Sequence, residues 1–509
     1  MHGILKAPLP VPLTIPLSKG DGPLFRQVYS GLRSAILSGT FRVGEKLPST
    51  RDLANQLAIS RTVVLYAYDQ LLAEGFAVGR SGSGTYVSGD LNLSKSPVSA
   101  DRVHLNLSRY GRAAASAWPR IEFPRRPPRL LRYDFAYGRS DTELFPFETW
   151  RRILMRCGRK APVGEFDYGP STGNAGLREA ICSHLRRSRA VNCDPSQVVV
   201  VNGSQQALDL IVRVLIERGQ PVVIEEPGYQ GTREVLRAAG ARLLPVPVDG
   251  EGLRPDKLPA GARIAFVTPS HQFPTGAVLP LGRRLELLKW AKRNHAVLVE
   301  DDYDGEFRYE GQLLESLQGL DREGRVLYIG TFSRTVFSSL RIGYLIAPKE
   351  LLPAFAAAKW LCDRHTPTLE QQVLAEFISG GMYERYLRRV RRKNAARRQA
   401  LLESVHEFLG KSVEVTGDGA GAHVVLWPKH RVSEEVLITG AASHQVGVYG
   451  VSGYYLKHPK QTGIMLGYSR LKEAEIREGV RRLGQVIEDS SVKPASRYVS
   501  NKGLKVRNE

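Results

Sequence analysis

Cysteine is scarce, with four residues in a chain of 509. Cys157, Cys182, Cys193 and Cys362 have no close ligand spacing, so neither a zinc motif nor a disulfide framework is indicated. Reduced thiols in a cytosolic protein, with no metal, are the expectation. Long apolar runs are missing too. The opening Met1–Gly20 is apolar but interrupted by Pro8, Pro10, Pro12 and Pro16, so it reads as neither a signal peptide nor a membrane span. Acidic residues fall short: 51 Asp and Glu face 72 Lys and Arg, a net charge of +21. That surplus points to a polyanionic partner and says nothing about fold. The hydrophobic share of 42% and charged share of 24% are ordinary for a globular protein. The length asks for two or three domains.

Residues 22–88 read as three helices and a hairpin. Phe25, Val28, Leu32 and Ile36 fall at helical spacing, and Ser49 with Asp52 forms a capping-box pattern for a second helix. A third helix starts at Ser60-Arg61-Thr62, with Val64, Ala67, Tyr68 and Leu71 toward a core and Leu65 and Tyr66 outside. Val78 to Val87, with Gly82 and Gly84 at its turn, reads as a two-stranded wing. These pieces make a winged helix-turn-helix whose third helix suits a major groove. Arg51, Arg61 and Arg80 suit phosphate or guanine, Ser60 and Thr62 offer short polar groups, and Tyr66, Gly82 and Gly84 complete the candidate DNA-binding set. Ser60 also fits as a plain helix cap.

The basic surplus lies elsewhere. Lys95, Arg102, Arg109, Arg112, Arg120, Arg125, Arg126 and Arg129 fall in a Ser/Pro/Ala-rich stretch, 89–129, that reads as a basic linker. Arg388–Arg398 falls in a long helix and reads as a solvated face. From 130 to 488 short apolar strands alternate with helices, the pattern of a mainly parallel α/β sheet, with a small subdomain from about 380. Expected strands are Val198–Val201, Val222–Ile224, Ile264–Val267, Val297–Glu300, Val326–Ile329 and Ile342–Ile346. Gly203-Ser204-Gln205 precedes a helix and suits a phosphate, and Asp301 at a strand end asks for a cationic partner. Residues 489–509 read as a disordered basic tail.

Leu47-Pro-Ser-Thr-Arg-Asp-Leu-Ala54, Ser60-Arg-Thr-Val-Val64 and Gly84-Thr-Tyr-Val87 resemble the GntR-type DNA-binding domain. Gly203-Ser-Gln-Gln-Ala, Glu226-Pro-Gly-Tyr229, Thr268-Pro-Ser-His-Gln-Phe-Pro-Thr-Gly276, Glu300-Asp-Asp-Tyr303-Asp and Gly330-Thr-Phe-Ser resemble fold-type I aminotransferases. Together they resemble the MocR/GabR group of transcription regulators, which fuse the two parts and act as dimers on DNA. The resemblance implies a pyridoxal phosphate pocket. Tyr229 would stack on the ring, Asp301 would pair with its nitrogen and Tyr303 would bond its hydroxyl. Ser204, Gln205, Ser333 and Arg341 would line the phosphate end, with Tyr168 reaching in from the partner subunit.

Two departures bear on chemistry. Arg334 stands where the resemblance places the Schiff-base lysine, and Met465 stands where aminotransferases place a carboxylate-gripping arginine. A guanidinium stays protonated and is no nucleophile, so a covalent link and transamination are not expected at Arg334. Arg334 leaves two arrangements open. The pocket binds pyridoxal phosphate non-covalently, or Arg334 pairs with Asp301 and no cofactor is needed. The expected protein is a cytosolic, nucleoid-associated, homodimeric regulator of a double-stranded DNA operator, answering to a B6 vitamer, amine or amino acid. Its rivals are an aminotransferase with an attached reader and a constitutive DNA-binding dimer with a vestigial pocket.

Overall fold

Four consecutive valines, Val198–Val201, have no solvent exposure at all, which is possible only for a strand covered on both faces. In this computed structural model, which describes residues 15–18, 20–91, 106–121, 131–160, 167–309, 314–457, 459 and 461–492, that strand sits in an eight-stranded sheet. The chain forms two compact units, Met1–Asn106 and Leu107–Glu509.

In the first unit, helices α1 (Leu24–Leu37), α2 (Thr50–Gln56) and α3 (Arg61–Ala73) precede hairpin strands β1 (Ala77–Arg80) and β2 (Gly84–Val87). Val28, Leu32 and Ile36 of α1 meet Val64, Ala67, Tyr68 and Leu71 of α3 in one core. Ser49 accepts from the Asp52 amide and caps α2. Ile15 is buried in the same core, so the packed unit begins ahead of residue 22.

The second unit opens with α4 (Arg109–Ile121), which overturns the reading of 89–129 as linker throughout: this half of it is a helix packed on the large unit. Lys95, Arg102, Arg125, Arg126 and Arg129 lie outside the described residues. Then follow β3 (Tyr133–Asp134), α5 (Phe147–Lys160), α6 (Ala175–Arg189), β4 (Val198–Val201), α7 (Ser204–Leu215), β5 (Pro221–Glu226), α8 (Gln230–Ala239), β6 (Arg242–Asp249) and β7 (Gly252–Leu253). Next come β8 (Ile264–Val267), α9 (Leu281–Arg293), β9 (Val297–Asp302), α10 (Leu317–Leu320), β10 (Val326–Thr331), β11 (Gly343–Ile346), α11 (Leu352–Asp363) and α12 (Thr368–Ser379). The sheet order is β4-β11-β10-β9-β8-β5-β6-β7. The run from β6 to β10 is parallel, while β11 is antiparallel to both neighbours and β7 to β6. Strand β6 is absent from the expected set because Pro245 and Pro247 interrupt its pattern. Two residues apart, they lose N–H groups on one side of the strand only. Alternation along β4 sorts the packing: Val198 and Val200 join a core with α6 and α12, and Val199 and Val201 join one with α7 and Phe355 of α11.

The remainder is α13 (Met382–Phe408), β12 (Val413–Thr416), β13 (His423–Pro428), α14 (Glu434–Ser443), β14 (Val446–Gly447), β15 (Tyr449–Gly450), β16 (Ile464–Gly467) and α15 (Glu473–Val492). A second sheet, β12-β13-β16-β15, packs with these helices. Tyr133 and Phe135 share its core and β3 pairs with β14, so this subdomain draws on residues far ahead of 380. Arg388–Arg398 is not simply a solvated face. Arg397 is buried against Asp141 at 2.8 Å, and Arg391 donates to the Glu306 carbonyl at 2.7 Å. Helix α15 runs to Val492, so 489–492 is helical, and 493–509 lies outside the described residues. Among the described residues no helix is long and apolar enough to cross a membrane.

Candidate functional site

The first unit presents the predicted DNA-binding set on its surface. Arg51, Ser60, Arg61, Thr62, Arg80, Gly82 and Gly84 are exposed, and Tyr66 is 61% exposed. Arg61 donates from Nε to Thr50 Oγ1 at 3.2 Å, joining the starts of α2 and α3. Ser60 is the N-cap of α3, yet its hydroxyl makes no capping bond, so the plain-cap reading does not account for it. On the wing, Arg80 lies 4.5 Å from the Tyr86 ring centre and Lys46 lies 5.9 Å from it. Lys46 was not among the expected contacts. It reaches the wing because residue 46 bridges to Tyr86, a pairing no local pattern announces.

The second unit holds a cleft of about 250 Å³ at the ends of β9 and β10 and the start of α7. Ser204, Gln205, Tyr229, Asp301, Tyr303, Ser333, Arg334 and Arg341 all line it, drawn from separate loops. Arg341 donates to Ser333 Oγ at 3.4 Å and to the Asn202 carbonyl at 2.9 Å, which sets its guanidinium beside the first turn of α7. A helix start with free amides, two hydroxyls and a guanidinium is a cradle for a phosphate. Glycine is required at 203, with φ +84° and with the Arg341 guanidinium 2.6 Å from where a Cβ would stand. Behind this loop Lys359, wholly buried, donates to Asp363 at 2.7 Å and to Gln206 at 2.9 Å. Asp363 in turn receives Asn202 at 2.6 Å.

The other end of the cleft is acidic. Asp301 is 8% exposed and its Oδ1 has no hydrogen-bond partner. Burial, then Asp302, push its carboxyl up to about 7 against the pull of Arg334. The cation expected for Asp301 goes instead to its neighbour: Arg189 of α6 pairs with Asp302 at 2.8 Å and also donates to Ser270. Successive strand residues point to opposite faces, so only one of the two can face α6. No Arg334–Asp301 ion pair forms among the described residues. The Arg334 guanidinium stands 5.8 Å and 5.9 Å from the ring centres of Tyr137 and Tyr303. Among the described residues no lysine lines the cleft.

Tyr229 is the N-cap of α8, and its ring sits edge-on to Phe273 at 5.9 Å. Tyr168 does not line the cleft; it is 72% exposed, with the Arg364 guanidinium 4.2 Å from its ring centre. Met465 is wholly buried in a cluster with Phe273 and Tyr454. Tyr137, Arg189, His271 and Asp304 were missed as site residues. His271 and Asp304 lay inside recognised motifs without a role, and Tyr137 and Arg189 become relevant only through contacts distant in sequence. His271, Asp304 and His423 bring one ligand-type atom each within 4.8 Å of one another. His271 Nδ1 is bonded to Asp304 at 2.9 Å and His423 Nε2 to the Pro274 carbonyl at 3.0 Å, while among the described residues His271 Nε2 and Asp304 Oδ1 have no hydrogen-bond partner.

The cleft suits pyridoxal phosphate on the chain's own chemistry. The cradle is built for a dianion, and the unpartnered buried Oδ1 of Asp301 is an acceptor for a protonated ring nitrogen.

Comparison with known proteins agrees in both units. The family of bacterial regulatory proteins, gntR family, matches residues 24–87, and aminotransferase class I and II matches residues 134–483. The probable rhizopine catabolism regulatory protein MocR of Rhizobium meliloti is 37% identical over 484 residues, 94% of this chain and 97% of its own. The pyridoxine biosynthesis transcriptional regulator PdxR of Corynebacterium glutamicum is 31% identical, covering 89% of this chain and 93% of its own. Among solved structures, LysN, the alpha-aminoadipate aminotransferase of Thermus thermophilus, complexed with N-(5'-phosphopyridoxyl)-L-leucine, superposes with a TM-score of 0.65 at 32% identity. That match covers 70% of this chain and 92% of LysN. With both parts matched in order, and MocR aligned over nearly its full length, the chain belongs to the MocR-type transcription regulators, a GntR winged helix fused to an aminotransferase class I and II domain.

Proposed function

We propose that this regulator binds pyridoxal phosphate, or a close phosphorylated relative, without a covalent link, and that bound ligand alters its hold on an operator. The observation that carries the reading is the content of the cleft: a phosphate cradle and a buried Asp301 whose Oδ1 has no partner, with Arg334 and, among the described residues, no lysine on the lining. Arg334 occupies the Schiff-base position in this reading and contributes charge, not a nucleophile. Ser204, Gln205, Ser333 and Arg341 hold the phosphate, Tyr229 covers one ring face, and Asp301 accepts from the ring nitrogen. Bound there, the cofactor would supply an aldehyde that reacts reversibly with free primary amines, so an amine or amino acid is a natural co-effector. Tyr168 of a second subunit completes the cleft, and dimerisation sets two readers on two half-sites. Arg51, Ser60, Arg61, Thr62, Tyr66 and Arg80 contact DNA, with Gly82 and Gly84 letting the wing approach its backbone. That the second reported relative is named for pyridoxine biosynthesis supports a B6 ligand.

Titrating pyridoxal phosphate into the full-length protein, by calorimetry and visible absorbance beside Arg334→Lys, tests this. Saturable binding without a covalent absorbance band in the native chain, and a band gained in Arg334→Lys, is the expected result. No binding by either form would overturn the reading and leave the large unit a scaffold.

A further inference from the structure

Behind Tyr303 the cleft has a second layer that none of the assigned roles uses. Asp304 and His271 are 4% and 2% exposed. His271 Nδ1 lies 2.9 Å from Asp304 Oδ2 and 2.9 Å from the Tyr303 hydroxyl. An ionised carboxylate can only accept, so Nδ1 carries the proton and offers it to both oxygens. The Tyr303 oxygen therefore accepts on this side and has its own hydrogen to give elsewhere. The side left to it is the cleft, which Tyr303 lines with Asp301 and Arg334. Burial, and next Asp304, raise the phenol well above its ordinary pKa, so that hydrogen stays in place.

The imidazole is fixed. At Gly421 a Cβ would stand 2.0 Å from its Cε1, so only glycine fits against it. The His423 ring lies 5.0 Å away and is itself tied to Pro274. His271 Nε2 is buried without a partner, so no competing bond turns the ring away from Tyr303.

We propose that His271 and Asp304 are positioning residues that aim the Tyr303 hydroxyl into the cleft as a donor. This makes the site selective for phosphorylated aromatic ligands bearing an anionic ring oxygen opposite Tyr303. The inference rests on the reading of the cleft as a pyridoxal phosphate site. The pair acts through Tyr303 and touches no ligand itself.

The test compares pyridoxal phosphate with its 3-deoxy analogue, which lacks the ring oxygen, by calorimetry on the full-length protein. Unmodified protein is expected to prefer the parent by about tenfold or more, the value of a hydrogen bond to a charged acceptor. Tyr303→Phe, Asp304→Asn and His271→Gln should each erase that preference, and the two positioning variants, Asp304→Asn and His271→Gln, should leave the affinity for the analogue within about twofold. Asp304→Asn added to Tyr303→Phe should change nothing further. If Tyr303→Phe erases the preference but Asp304→Asn keeps it, the positioning role is overturned while the cofactor reading stands. Equal weakening of both ligands in Asp304→Asn would mark the pair as merely structural and also overturn it. Unmodified protein that binds neither ligand removes the cofactor reading, and this inference with it.

Discussion

Asp301 carries a cost that Asp302 escapes. Both end the same buried strand, but Arg189 reaches only Asp302, and Asp301 Oδ1 is left without a donor. A carboxyl held up to about 7 keeps its proton more tightly in the folded chain than in the unfolded one. Its contribution therefore favours folding at low pH and is lost as the pH climbs from about 4 to about 7. Glu225, Glu300 and Glu306, raised to about 7 by burial, act in the same direction. Asp301→Asn should stabilise the ligand-free large unit at pH 8 by on the order of 1–3 kcal/mol. It should also flatten the fall in stability between pH 5 and 8 while weakening pyridoxal phosphate binding. Thermal melts at the two pH values measure this. A variant as pH-sensitive as the parent and no more stable at pH 8 would mean that a partner meets the Asp301 charge.

Helix α4 links the segment that follows the reader to the helix that carries Tyr229. Glu234 of α8, 3% exposed, accepts from Arg120 at 2.8 Å and from Arg237 at 2.7 Å. The Gln230 amide donates to the Arg120 carbonyl at the end of α4. Arg120 is itself partly exposed, so solvent screens the pair and its contribution is modest. Glu234→Gln should speed amide exchange across residues 109–121 by about threefold to tenfold, with β9 and β10 unaffected. Unchanged exchange in α4 would show that apolar packing alone holds it. The linker reading missed this helix because Pro119 and the Ser/Pro/Ala-rich composition around it masked its amphipathic pattern, whereas in the fold it packs on α8 and buries Ala117.

At the scale of the whole molecule, the surplus behind the charge of +21 is not concentrated on the reader, where Arg26, Arg33, Arg42, Lys46, Arg51, Arg61 and Arg80 are nearly balanced by the acidic residues between Asp21 and Asp90. Arg189, Arg391 and Arg397 are spent inside the large unit on carboxylates and carbonyls. The exposed cations of the reader are the ones expected to set its affinity for DNA. Arg80→Ala on the wing should weaken specific and non-specific DNA alike and lower the slope of log affinity against log salt by about one. Thr62→Ala should instead relax sequence preference. Fluorescence anisotropy at several salt concentrations separates the two. An Arg80→Ala slope equal to that of the parent would remove Arg80 from the phosphate contacts.

Much was legible in advance where a residue's role follows from a short pattern. The helical spacing of Val28, Leu32 and Ile36, the cap at Ser49 and the valines of β4 are local consequences of periodicity and backbone chemistry, and the sequence by itself determined them. The motifs also marked most of the cleft, because Gly203-Ser204 and Asp301 sit at strand and helix ends where an α/β sheet collects its ligands. Which carboxylate receives an arginine was beyond any pattern: Arg189 and Asp302 are 113 residues apart and meet only when α6 docks on the sheet. The same holds for Lys46 on the wing and for His271 behind Tyr303. Local periodicity fixes which face a side chain presents. Only the packing of distant elements decides what stands opposite it, and the charge balance of the cleft is set there.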